Sequence, residues 1–145
     1  MDLLQMESIV ATQISVRVPR TVLKIDPVTE KPITVLDVYP DISFTCEISD
    51  STPRFPNVYI HELEPTEIGN SLPNQEIHAI RDTIQIDVST NASKTDAKVV
   101  ANVCTRVMKQ LRYSVVNLPV HFQLNNVHRY TIRFRRVIAS GDKFE

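Results

Sequence analysis

Apolar and polar positions recur along this chain in two rhythms, and the change from one to the other marks most of its elements. Ile42, Phe44, Cys46 and Ile48 alternate with Ser43, Thr45, Glu47 and Ser49, the period of a strand with one face buried. Ile84, Ile86 and Val88 alternate in the same way with Gln85, Asp87 and Ser89. Between them Asn57–Leu63, entered through Phe55-Pro56, reads as another strand, and Asp50-Ser51-Thr52-Pro53 ends the first. The rhythm then lengthens. Val100, Val103, Cys104, Val107, Met108 and Leu111 fall on one face of a helix, with Lys94, Lys98, Asn102, Arg106 and Lys109 elsewhere on its surface. Ser93 followed by Asp96 supplies a capping pattern at its start, and Asn117-Leu118-Pro119 breaks the periodicity. Val120, Phe122 and Leu124 then alternate with His121 and Gln123, and Tyr130, Ile132 and Phe134 with Thr131, Arg133 and Arg135. Asn125-Asn126 between the two runs predicts a hairpin.

The amino-terminal part is less regular. Leu3, Met6, Ile9 and Val10 suit a short amphipathic helix over Asp2–Gln13, and the alternation of Ile14, Val16 and Val18 predicts a strand up to Pro19. Val22–Ile25 and Ile33–Val38 flank a proline-bounded turn, so residues 14–37 contain an inserted hairpin or arm. Glu64 to His78 is a long polar loop. The expected fold is α+β: a mixed, mostly antiparallel sheet with a long helix packed on one face, an amino-terminal helix and the extra hairpin. A single domain over residues 1–145 is expected, since that length with 42% apolar and 23% charged residues suits one core.

Charge and composition narrow the functional classes. Sixteen Lys and Arg against seventeen Asp and Glu leave a net charge of −1, without the cationic excess that DNA coating requires. Two glycines rule out a glycine-rich phosphate loop. No apolar run approaches the roughly 20 residues of a membrane span, and Asp2 and Glu7 without a basic start argue against a secretory signal.

Candidate chemistry is sparse. His61, His78, His121 and His128 lack metal-ligand spacing, and His61 and His121 are expected as exposed sheet residues. Cys46 and Cys104 fall on apolar faces, where free thiols act as small hydrophobes. No catalytic residue, metal or cofactor is expected. Two stretches are candidates for protein contact. The acidic strand end and loop offers Glu62, Glu64, Glu67, Asn70 and Asn74, in a long polar segment of the kind that binds partners. Arg133, Arg135 and Arg136, with Arg129, make the last strand basic: either charge keeping an edge strand soluble, or a surface for an acidic neighbour. No aromatic residue interleaves on that basic face for base stacking.

The order of particular residues resembles the tail terminator, or tail-completion, proteins of long-tailed bacteriophages. The similar blocks begin at Val38-Tyr39-Pro40-Asp41-Ile42 and run through Phe55-Pro56-Asn57-Val58-Tyr59-Ile60-His61-Glu62, a proline-led entry into a strand ending in acid. Asp82–Asn91 resembles a strand leading to a Ser- and Asn-bearing helix start. Ala97 to Tyr113 resembles the long helix, and Arg129–Phe134 the closing strand. Leu111-Arg112-Tyr113 lacks the glycine often found at that helix end, and residues 14–37 add sequence that the family usually omits. The resemblance implies a structural virion protein of the phage tail and neck, assembled in the host cytoplasm and without catalysis. It implies a sixfold homomeric ring that caps the head-proximal end of the tail tube and halts polymerisation. Its partners would be the tail tube protein and the head-completion or stopper protein, with DNA passing through the lumen unbound. Another neck component, a small α+β enzyme and a nucleic-acid-binding regulator are the competing readings. An enzyme would need convergent acids or histidines in a pocket.

Overall fold

A computed structural model describes residues 6–46, 54–67 and 79–139. Helix α1 (Met6–Arg20) is followed by strands β1 (Val22–Ile25) and β2 (Pro32–Thr34), a single helical turn α2 (Val35–Val38) and a short strand β3 (Ser43–Thr45). Then come β4 (Asn57–Glu67), β5 (Ala79–Thr90), the long helix α3 (Lys94–Gln110), β6 (Ser114–Leu124) and β7 (Val127–Ala139). The main sheet has the order β3-β4-β5-β7-β6; β3 runs parallel to β4 and every other neighbour is antiparallel. Strands β1 and β2 form a separate two-stranded arm. The expected α+β class, with a mostly antiparallel sheet and a long helix against it, is the observed one.

One face of the sheet carries the core. Val58 and Ile60 of β4, Ile84, Ile86 and Val88 of β5 and Ile132, Phe134 and Ile138 of β7 are buried. They meet Val100, Cys104, Val107 and Met108 of α3, the face that the helical period marks. Ser93 caps α3: its Oγ accepts from the Asp96 amide at 3.1 Å and donates to the Asp96 carboxylate at 2.9 Å. Tyr39 Oη donates to the other Asp96 oxygen at 2.8 Å, tying the end of α2 to the start of α3. Partial burial and the Asp96 carboxylate push the Tyr39 phenol up to about 12.

The end of α3 resolves the missing glycine. Arg112 has φ 68°, its amide donates to Lys109 O, and the Tyr113 amide donates to Met108 O. These two bonds form a Schellman close, with arginine at the left-handed position that glycine favours. Arg112→Gly is expected to raise stability by about 0.5–1 kcal/mol, read as a higher denaturant midpoint. An unchanged midpoint would mean that the arginine side chain offsets its backbone cost.

Four expectations need correction. Ile14–Val18 is helical, not a strand, because Met6, Val10, Ile14 and Val18 also recur every fourth residue and all four are buried; Val16 is left exposed. Extended structure expected up to Val38 stops at Thr34, whose hydroxyl and Asp37 form a capping box that starts α2. The polar segment from Glu64 is strand up to Glu67, and β5 begins at Ala79, earlier than the alternation suggested; the rest of that loop lies outside the described residues. The fourth correction concerns β6 and bears on function.

Candidate protein-contact surface

Among the described residues, no helix covers the second face of the sheet. Alternation places Arg129, Thr131, Arg133 and Arg135 of β7 there, beside Gln85 and Asp87 of β5. Hydrogen bonds knit its middle: Thr131 Oγ1 donates to Asp87 at 2.7 Å, Arg133 Nε to Gln85 Oε1 at 3.0 Å and Arg129 Nε to Ser89 Oγ at 3.2 Å. His61 of β4 lies 3.4 Å from Asp87. A hydrolytic triad needs its hydroxyl on the imidazole. Here the Thr131 hydroxyl goes to the carboxylate instead, so this trio does not activate a nucleophile.

Strand β6 inverts the expectation for its apolar run. Val120 pairs with Thr131, Phe122 with Arg129 and Leu124 with Val127, which puts these side chains on the open face and not in the core. Leu118 is 81% exposed, Phe122 56% and Leu124 76%. His121 takes the helix side instead, half-buried against Tyr130 with its Nε2 3.3 Å from His128 Nδ1. Partial burial, then the charges of Lys94 and His128, hold His121 below the usual imidazole range. Val115 packs on the core, and counting by two from it puts His121 on the helix side and Val120, Phe122 and Leu124 on the open one. The two one-residue register shifts, between Val115 and Asn117 and between Asn117 and Val120, cancel and leave that parity unchanged.

The exposed apolar residues border a groove of about 610 Å³ with an apolar wall of Phe122, Leu124 and Val127 and a polar floor of Asp87, Arg129 and Thr131. At the other end of β6 a shallower recess of about 590 Å³ is lined by Arg112, Val116, Arg135 and Val137, among others. Large side chains left uncovered together, rimmed by cations, are the composition of a contact surface.

The candidate residues separate into groups. Arg133 and Arg135 are exposed on the open face. Arg136 is not with them: it is buried on the helix side, and its Nη1 donates to Leu111 O at 2.9 Å. Glu62 also faces inward, so neither belongs to an outer contact surface. Glu64 and Glu67 fall in the last part of β4, where Pro65 sits at a register shift. Asn70 and Asn74 lie outside the described residues. Cys104 is buried and its thiol is pushed up to about 12 by that burial; Cys46 is half-buried.

Beneath the sheet lies a polar cluster that sequence reasoning missed. Asp82 of β5 is fully buried and accepts from Tyr113 Oη at 2.5 Å. Burial, then the Asp82 charge and this bond, raise the Tyr113 phenol far above its usual range. Glu62 approaches the same carboxylate, and its backbone amide donates to Glu7 of α1 at 2.7 Å. Burial, then Asp82 and the Glu7 charge, push Glu62 up to about 8. Ionised, Glu62 and Asp82 would each keep a buried oxygen without a donor; a proton on Glu62 supplies one. The signal was present in the sequence: Glu62, Asp82 and Arg136 each interrupt an apolar alternation (Val58-Ile60, Ile80-Ile84, Phe134-Ile138).

The raised value has a defined sign. The folded chain holds this proton and the unfolded chain releases it above about 4.5, so stability falls as pH rises from there to about 8. Partial exposure of Glu62 keeps the slope below the limit of about 1.4 kcal/mol per pH unit. Glu62→Gln donates to Asp82 without titrating, so it should flatten the slope and be more stable than wild type at pH 9. Denaturant midpoints at pH 5, 7 and 9 read this directly; parallel curves for the two proteins would contradict it.

No protein-family model matches the chain, and no curated protein matches it in sequence. Among the described residues, no helix is long and apolar enough to cross a membrane, and no cluster of three or more His, Cys, Asp or Glu is arranged to hold a metal.

Proposed function

We propose that this chain is a tail terminator of a long-tailed bacteriophage. It closes into a ring on the head-proximal end of the tail tube, stops tube growth, and presents the surface on which the head's connector or stopper docks. The observation that carries the reading is the uncovered sheet face, with large apolar residues of β6 beside exposed arginines of β7. A protein whose task is assembly needs such a face. The distributed resemblance from Val38 to Phe134 adds the kind of assembly. A ring needs two different patches on each copy, related by a rotation that closes. Arrest of growth needs one ring face that fits the tube and another that rejects a further tube layer.

Polymerisation of purified tail tube protein, followed by light scattering, tests the reading. Substoichiometric amounts of this chain should stop elongation and shorten the tubes at a fixed end. Elongation unaffected by an excess of the chain would contradict it.

A further inference from the structure

The two edges of the main sheet differ in charge at the same height. One row of paired residues crosses it: Leu63 of β4 is opposite Thr83 of β5, Thr83 opposite Arg135 of β7, and Arg135 opposite Ser114 of β6. The row spans three inter-strand spacings, about 15 Å. At its β6 end lies the shallow recess, with Arg112 and Arg135 exposed beside Val116 and Val137. Residues 111–139 contain five arginines and no carboxylate. At the β4 end the strand itself, Asn57–Glu67, contains three glutamates and neither lysine nor arginine. Glu62 faces inward, which leaves Glu64, inside the register shift between Leu63 and Thr66, and Glu67, just past it. Arg81 of β5, opposite Thr66, offsets one of the two at most.

Both edges are open at this height. Among the described residues, β3 pairs with β4 only along residues 57–59, and β6 is the last strand of the sheet. Neither edge suits the addition of a strand. On β4 the Glu62 amide already donates to Glu7, and Pro65 has no amide hydrogen. On β6 a register shift follows Val115, and Pro119 comes soon after. Contact at such edges falls to side chains. Exposed ion pairs add little affinity by themselves but fix register and exclude wrong partners, while covering Val116 and Val137 removes apolar surface from water. The residues lining the recess include no aromatic ring to stack on a nucleobase, so its guanidinium groups suit the carboxylates of a protein edge.

We infer that the β4 edge of one copy packs against the β6 edge of the next, with Glu64 and Glu67 facing Arg112 and Arg135. The inference rests on the proposed ring and names its contact. The two edges lie on opposite sides of one sheet, so a copy cannot satisfy its own. They lie at the same height, so a neighbour need not slide along the strands to match them. Acidic edge and basic edge are different patches; the contact is heterologous and repeats head to tail until its rotation closes. The separation of acid and base within a chain whose net charge is only −1 thereby acquires a role.

Reciprocal charge reversal in the full chain tests the contact. Arg112→Glu with Arg135→Glu sets acid against acid at every junction, and Glu64→Arg with Glu67→Arg sets base against base. Each double variant should weaken self-association in sedimentation velocity at least about tenfold, with thermal midpoints near wild type. Mixed in equal amounts, the two restore matched charges at every junction of an alternating ring, and the assembly should return. Double variants that associate like wild type, or a mixture that stays dissociated, would overturn the inference. Wild-type association should also weaken as salt rises from about 50 to about 500 mM, because exposed pairs are screened; association indifferent to salt overturns the inference without recourse to any variant. A wild-type chain that remains monomeric at high concentration overturns it too, and binding of a labelled single-stranded oligonucleotide that is lost in the arginine double variant would then assign the recess to phosphate. Failure of the function reading is seen separately: wild-type assemblies that depend on the charge match but leave tube growth untouched refute the terminator role and support the contact.

Discussion

Phe134→Ala should cost about 3–5 kcal/mol of folding stability, the largest loss expected of any single truncation in this chain. Phe134 is the largest of the fully buried side chains. It sits on β7 between Ile84 of β5 and Val115 of β6, beneath α3. Removing the ring leaves a cavity bounded by three strands and a helix, whose mutual hydrogen bonding prevents them from collapsing into it. Because domains of this size hold only about 5–15 kcal/mol in all, the variant should be partly unfolded near body temperature. Leu124→Ala supplies the contrast. Leu124 is as apolar but exposed, so its truncation should change stability by no more than about 0.5 kcal/mol. Urea denaturation of the two variants reads the difference. Equal losses would mean that the β6 apolar run is covered within the monomer, and the open-face account would fail.

The second large effect concerns assembly. Arg133→Glu with Arg135→Glu reverses two charges on the open face while leaving the core beneath intact. Arg133 pairs in register with Gln85 and Asn117, and Arg135 with Thr83 and Ser114, so no buried charge is orphaned. Monomer stability should stay within about 1 kcal/mol of wild type. Binding to neighbouring copies or to the tube should weaken at least about tenfold, because like charges brought together at an interface cost several kcal/mol. Co-sedimentation with tubes and sedimentation velocity of the variant alone measure the two associations. Assembly untouched by the double reversal would assign those arginines to solubility alone.

The legible and illegible parts of this chain divide on a physical line. Helix α3 was readable because its apolar period and Ser93 cap agree with one another; its end was not, since it closes at residues 111–113 and the break expected at Asn117-Leu118-Pro119 lies inside β6. Strands β5 and β7 were readable because each is central and buries one face. Helix α1 was half readable: Ile14, Val16 and Val18 satisfy both a period of two and, with Met6 and Val10, a spacing of four. Contact with α3 decides for the helix, and no local rule contains that contact. Strand β6 was expected only over residues 120–124, begins at Ser114, and was faced wrongly. Alternation fixes which residues share a side but not which side is covered, and the two register shifts near Pro119 cancel. The same limit concealed the groove, which is built from β5, β6 and β7 together. Glu62 and Arg136 were chosen as contact residues from their charge, although their even spacing within apolar runs points inward. Asp82 and Tyr113, 31 residues apart, meet only because α3 returns the chain across the sheet.

Electron microscopy of the purified chain, alone and mixed with tail tubes of the phage to which the proposed function assigns it, tests the account most directly. The account predicts sixfold rings, or added density capping one end of each tube and never both. Monomers that leave both tube ends bare would contradict it.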